Sequence, residues 1–311
     1  MPIEYHRTML ADRVRNEAFH RALEKVIRPG QTIVADVGCG TGILGFMAGR
    51  LGAREVHLYE SGDVMNLCRH LAKANRIERC RFRAGHSTTF DNPPPVDVVV
   101  SETLGNYAFE EQMIETVEDA KRFLKPGGMI IPGKVEQVVV PVVTDRFFRD
   151  LQVWDDVGFG LDFTLAKTMS LNNAYVRTFT ASDLLDRGRS AQVWDSLDFR
   201  CRNAPDRKGK AQWTLAVDTV IYGAAVWWNA ELVLGVDLST SPFAPKTHWE
   251  QLYFPVLESL EGCRGDTLSV TLSSTSSYDA GTNLCWQFVL ERAGGGKAVR
   301  QSLDLEKGFL A

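Results

Sequence analysis

Two kinds of apolar pattern alternate along the first 131 residues. Met9, Leu10, Val14, Ala18, Leu23 and Val26 mostly keep helical spacing, which predicts a helix over Arg7 to Val26 that Pro29-Gly30 ends. Thr32 to Val37 reads as a buried strand running into Gly38-Cys39-Gly40-Thr41-Gly42, with a helical pattern from Ile43 to Leu51 behind it. Strand, helix and short strand follow over Val56 to Tyr59, Val64 to Asn75 and Arg81 to Arg83. Asp91-Asn92-Pro93-Pro94-Pro95 is a turn, because three prolines fit neither a helix nor a central strand. Val96 to Val100 is a buried strand, and a helix is expected from about Glu111 to Leu124. Lys125-Pro126-Gly127-Gly128 reads as a stop before a last strand, Met129 to Ile131. Such alternation predicts a parallel, doubly wound α/β sheet.

The period changes at Pro132. From Gln137 onward, V-V-V-P-V-V, W-T-L-A-V-D-T-V-I-Y, A-V-W-W-N-A-E-L-V-L, L-S-V-T-L and C-W-Q-F-V-L recur between turns. They predict an antiparallel β-barrel or sandwich. Two domains are therefore expected, 1–131 and 132–311. Thr164 to Asp186 is helix-like and interrupts the β series, so it is expected to project as a hairpin. Asn203 to Gly209 reads as a polar surface turn.

Composition narrows the function classes. A chain of 311 residues with 44% hydrophobic and 24% charged residues is ordinary for a globular protein with two cores. A net charge of -4 gives no basic stripe for nucleic acid. Six scattered cysteines with no C-x-x-C pair argue against a zinc site and for reduced thiols in a cytoplasmic protein. The start, M-P-I-E-Y-H-R-T, lacks an apolar signal core, and no run of about 18 apolar residues occurs, so no membrane partner is expected.

Strand, glycine loop and helix open a nucleotide-binding domain, with close backbone approach and free N–H groups at the helix start. Glu60 stands 20 residues beyond Gly40, the spacing of an acid that holds ribose hydroxyls. The loop order is G-x-G-x-G, with Ile43 where a dinucleotide fingerprint has its third glycine and Asp36 two residues ahead of Gly38. D-V-G-C-G-T-G is similar to the signature of class I S-adenosylmethionine-dependent methyltransferases. Glu102 leaves the Val96–Val100 strand, and Glu110 and Glu111 return after a loop containing Gly105. Two carboxylates so placed suit a guanidinium with its fixed N–H donors. The alternative is a helix-capping acid and a solvated helix start.

Over essentially its whole length the chain resembles the protein arginine methyltransferases. His6 to Arg15 resembles that family's first helix, D-V-G-C-G-T-G-I-L-G its cofactor loop, and S-E-T-L-G-N-Y-A-F-E-E-Q-M its double-E loop. K-P-G-G-M-I-I-P resembles the interdomain junction, with Ile131-Pro132 as a cis peptide, and Thr247-His248-Trp249 the T-H-W loop. The resemblance implies S-adenosyl-L-methionine as cofactor and no metal. Arg15 would meet the methionine carboxylate, His6 and Met9 the reactive end, Asp36, Gly38 and Gly40 the loop contacts, and Glu60 the ribose. His86, Ser87, Met113 and Thr116 would surround the adenine. Glu102 and Glu111 would clamp the acceptor, with Tyr107 beside it and His248 with Asp12 relaying the released proton, while Trp249 most simply packs at the domain junction and could wall the acceptor groove. A helical arm at about 162–186 would dock on a second copy, giving a head-to-tail homodimer.

Four departures bear on these roles. The family's aromatic Y-F-x-x-Y lid has only Tyr5 nearby, so the lid is expected to be truncated or supplied otherwise. His86-Ser87 stands where an acid usually meets the adenine, Thr103-Leu104 replaces Trp-Met, and Asn106 replaces an aromatic. The expected acceptor is arginine in a protein or peptide. Free L-arginine or another small guanidino compound is the alternative, and an inactive dimeric scaffold comes last, because Glu102, Glu111, His248 and Arg15 are intact.

Overall fold

Five parallel strands carry the first sheet in the computed structural model, which describes residues 3–279 and 281–308. The outermost ends of the two expected domains, residues 1–2 and 309–311, lie outside the described residues. Where one N-terminal helix was expected there are two, α1 (Ile3–Ala11) and α2 (Arg13–Val26). The break is Asp12, whose extended backbone and carboxylate cap α2 by accepting the Arg15 N–H. Then come β1 (Ile33–Val37), α3 (Ile43–Arg50), β2 (Glu55–Glu60), α4 (Val64–Ala74), β3 (Cys80–Ala84), β4 (Val96–Val100), α5 (Met113–Ala120) and β5 (Leu124–Ile131).

The sheet order is β3-β2-β1-β4-β5. The strand order switches sides between β1 and β4, which run parallel, and their carboxyl ends open the crevice where such sheets bind ligands. Ser101 ties those ends together, its hydroxyl donating to the Val37 carbonyl at 3.0 Å. Two boundaries differ from expectation. Gln112 adopts a left-handed φ of 52°, so α5 starts only at Met113, and Glu110 and Glu111 belong to the turn before it. Lys125 to Gly128 does not stop the chain. It loops out within β5, where the register jumps from Val96↔Leu124 to Val98↔Met129.

The Ile131-Pro132 peptide is cis, and Gly133 then anchors to the second domain by donating to the Glu231 carbonyl at 2.9 Å. That domain runs through β6 (Lys134–Val142), α6 (Arg146–Asp150), α7 (Thr164–Leu171), β7 (Tyr175–Arg177), β8 (Gln192–Asp198) and β9 (Asp206–Thr214). It continues with β10 (Thr219–Val233), β11 (Val236–Ser239), β12 (Gln251–Gly262), β13 (Thr267–Ser277), β14 (Gly281–Glu291) and β15 (Val299–Asp304). One antiparallel sheet has the order β7-β12-β10-β6-β8, with β11 on β10, and the other β15-β14-β13-β9. Trp286 joins them, donating to the Pro255 carbonyl at 2.8 Å and packing on Phe254. The expected barrel is therefore a pair of packed sheets. Among the described residues no strand pairing closes them into a ring.

The interruption also lies earlier in the chain than expected, between the end of β6 at Val142 and the start of β7 at Tyr175. Residues from Tyr175 return to the sheet, where β7 pairs with β12. Arg146 fastens the return with a bidentate pair to Asp183, 2.9 and 2.8 Å. What remains outward is the stretch 153–165, where Val153, Leu161 and Leu165 are exposed and Phe159 is 93% exposed. Asn203 to Gly209 is likewise a turn only in its first half, because β9 starts at Asp206.

Candidate active site

A cavity of about 700 Å³ fills the crevice at the carboxyl ends of β1 and β4. The loop after β1 forms its floor. Gly38 and Gly40 adopt φ of 74° and 53°, and a Cβ at Gly40 would lie 3.0 Å from His6 Cε1. Both positions need glycine for conformation, and Gly40 also for space. Asp36 does not line this cavity, contrary to a direct cofactor contact. It is buried beneath the loop, accepts the Gly45 N–H at 2.8 Å, and burial pushes its carboxyl up to about 7. Glu60 does line it. Its two oxygens accept from Gly40 N–H at 2.9 Å and Gly62 N–H at 2.6 Å, and each keeps a lone pair for a further donor.

From α1, His6 and Met9 reach the cavity wall. Burial lowers the His6 pKa against the pull of Glu60, and its Nε2 has no partner. Thr103 Oγ1, on the same lining, is a second buried polar atom without one. Arg15 turns to Glu102. Its Nε donates to Glu102 Oε2 at 2.7 Å, Nη2 reaches the same oxygen, and Nη1 donates to Asn16 Oδ1 at 2.7 Å. The arginine expected at the cofactor's carboxylate thus also holds the first clamp acid. Glu102 Oε1 accepts the Leu104 N–H at 3.1 Å. Glu111 faces Glu102 on the lining. Desolvation, with the charges of Glu102 and Glu110 added, raises its carboxyl to about 7. Glu110 is folded over Gly105 and stays off the lining.

The second domain holds this loop from outside. Trp249 Nε1 donates to the Leu104 carbonyl, Trp228 Nε1 to the Gly105 carbonyl and Glu250 N–H to Asn106 Oδ1, each at 2.9 Å. Trp249 is therefore buried at the domain junction and does not wall the cavity. Tyr107 is also buried, its hydroxyl bonded to Ser274, and Met113 is wholly inside the core. Neither is on the cavity lining, because both side chains are packed into the apolar core. His248 and Asp12 do meet: the ring Nδ1 and the backbone N–H both lie 2.8 Å from Asp12 Oδ2. Asp12 also accepts the Arg15 N–H at 2.9 Å, and neither member of the pair is on the cavity lining. At the far end His86, Ser87 and Thr116 line the cavity, and Ser87 donates to Asp119 at 2.9 Å.

Trp228 and Tyr278, which also reaches the lining, are not singled out by any sequence motif. Trp228 reads in sequence as one more apolar position of a strand, and nothing local reveals where an indole N–H will point.

Burial raises the Asp12 carboxyl, but the bonds from His248 and Arg15 outweigh it and hold the group below its ordinary range. Asp12→Ala should lower unfolding stability by about 2 kcal/mol through loss of the helix cap and the His248 partner. In the native protein this contribution is present above the ordinary carboxylate pKa and is lost as pH falls through the depressed value. Urea denaturation at neutral and acid pH measures both. An unchanged midpoint would remove the pair from the account of how α2 is held.

Residues 20–149 match the family described as ribosomal protein L11 methyltransferase, and 136–288 the arginine methyltransferase oligomerization subdomain. Protein arginine N-methyltransferase 6 of Xenopus tropicalis is 30% identical over 290 residues, covering 87% of this chain and 84% of that protein. The histone-arginine methyltransferase CARMER of Anopheles gambiae is 25% identical over 299 residues, and the chain spans 48% of its length. In structure, a chain of the Trypanosoma brucei PRMT1 enzyme-prozyme heterotetrameric complex with AdoHcy superposes with a TM-score of 0.85 at 23% identity. It covers 97% of this chain and 98% of that one, so the two folds agree throughout. With the paired acids, the glycine loop and the T-H-W contact in their expected order, and 30% identity across most of a relative, this chain belongs to the protein arginine methyltransferase family.

Proposed function

We propose that the protein transfers a methyl group from S-adenosylmethionine to a guanidino nitrogen of arginine in a protein or peptide. The observation that carries this reading is that Glu102 and Glu111 both line the cavity whose floor is the glycine loop. The cavity fits the cofactor. Glu60 keeps lone pairs for two ribose hydroxyls, and His6 Nε2 and Thr103 Oγ1 are polar atoms awaiting partners. Arg15 retains guanidinium N–H groups beyond those given to Glu102 and Asn16, and these suit a carboxylate. S-adenosylmethionine, when bound, supplies a methyl group activated by its sulfonium.

The protein's task is the acceptor. A guanidinium stays protonated at neutral pH, and its delocalised charge leaves every nitrogen a poor nucleophile. Glu102 is held in place by Arg15, and Glu111 approaches from the opposite end of the loop. Gripping two N–H groups between them draws positive charge onto the bonded nitrogens, and the remaining nitrogen recovers its lone pair. Rate enhancement then comes from positioning and electrostatics. Glu111, at about 7, has the basicity to take the proton that the methylated guanidinium sheds.

The test is product identity. The protein is incubated with labelled S-adenosylmethionine and, separately, an arginine-rich peptide and L-arginine, and products are weighed by mass spectrometry. Methylarginine in the peptide is expected. Methylation of L-arginine alone would overturn the acceptor class, and no product in either arm would overturn the activity.

The exposed apolar stretch 153–165 supports association of two copies through this arm, as does the match to a subdomain described by oligomerization. Phe159→Asp with Leu165→Asp should convert dimers to monomers in sedimentation equilibrium. A dimer that persists would exclude the arm.

A further inference from the structure

The adenine end of the cavity receives a side chain from the second domain. β13 and β14 pair without a break from Thr267↔Glu291 to Ser277↔Gly281, so their turn extends the hairpin beyond Ser277. That tip crosses to the first domain. Tyr278 N–H donates to Glu115 Oε2 at 2.6 Å, and its hydroxyl lies 2.8 Å from Thr116 Oγ1. Its ring meets His86 edge-on, with centroids 4.9 Å apart and planes at 89°. Tyr278, His86, Ser87 and Thr116 all line the cavity, and Tyr278 remains 42% exposed, so the ring has surface to offer a ligand.

No acid stands at 86–87 to meet a purine amino group. Two rings at right angles supply another kind of purine seat, one face for stacking and one edge at the rim. Resting on the proposed cofactor, we propose that Tyr278 is a nucleoside-binding residue, and that with His86 it forms an aromatic corner for the adenine. Cofactor affinity then depends on a hairpin of the β domain. The same hairpin supports the acidic loop. Ser276 donates to the Phe109 carbonyl, Thr282 to the Glu110 carbonyl at 3.1 Å, and Ser274 bonds the Tyr107 hydroxyl. Purine and clamp therefore share one mount.

The full chain and its Tyr278→Ala, Tyr278→Phe and His86→Ala variants are titrated with S-adenosylhomocysteine by calorimetry, after circular dichroism has checked folding. Tyr278→Ala should weaken binding by about 5- to 100-fold, the range of a lost aromatic stack on a base. Tyr278→Phe keeps the ring and should stay within about fivefold. In turnover the alanine variant should raise KM for S-adenosylmethionine far more than it lowers kcat. Affinity unchanged within about twofold in Tyr278→Ala, or tighter binding, would overturn the proposal, the latter by making the ring a plug. If that variant fails to fold, His86→Ala decides: weakened binding supports the corner, unchanged binding overturns it. An unaltered chain that binds no S-adenosylhomocysteine would overturn the functional reading and this proposal with it.

Discussion

Glu111→Gln is expected to lower kcat for methyl transfer by at least about 100-fold, while S-adenosylhomocysteine binds nearly as well as to the unaltered protein. The glutamine has the same shape, but it is neutral and turns N–H donors toward the donors of a guanidinium. The carboxyl at about 7 adds a pH signature. Below that value Glu111 is mostly protonated and cannot grip a cation, so kcat/KM should rise tenfold per pH unit and then level off near pH 7. The variant should lose this limb of the profile. It should also unfold no more easily at neutral pH, because the removed charge was opposed by Glu102, Glu110 and desolvation. Substantial turnover by Glu111→Gln would sink the clamp.

Arg15→Ala should be costly in a different way. Its partner Glu102 has a side chain only 3% exposed, and Arg15 itself 5%. Removing the cation leaves a buried carboxylate without its counter-charge, a loss of about 3–5 kcal/mol. Urea denaturation reads this as a lower midpoint, and methyl transfer should disappear with it. Adding Glu102→Gln should return much of the stability but none of the activity, since the acceptor's first acid is then gone. Strictly additive losses in the double variant would show that the two side chains act independently. The pair fixes Glu102, the acid proposed to grip the acceptor, and Arg15 lines the same cavity.

Legibility in the sequence followed locality. β4 was readable residue for residue, because Val96 and Val98 to Val100 make an apolar run broken only by Asp97 and closed by Ser101. The cofactor loop was readable because strand, glycines and helix are adjacent in the chain. The single N-terminal helix was misread because the apolar spacing runs on through Asp12, and the cap that breaks it is a side-chain hydrogen bond, invisible to periodicity. Barrel and sandwich were not separable in the sequence, because short alternating strands announce antiparallel pairing but not whether the last strand meets the first. Residues 175–177 looked continuous with the helical arm, and only pairing with β12 drew them back.

By itself the sequence determined the fold class, the place of the crevice and the residue types around it. Those depend on backbone conformation and on the side-chain period, which near neighbours set. Only the tertiary structure decided which of those residues face the cavity and which partner each takes. Arg15 and Glu102 meet across 87 residues, His248 and Asp12 across 236, and Tyr278 and Thr116 across 162. Met113, Tyr107 and Trp249 are buried in the core, and the second domain covers the loop between the two acids. A charged or aromatic side chain settles where its desolvation is best repaid, and that balance exists only once both domains are in contact.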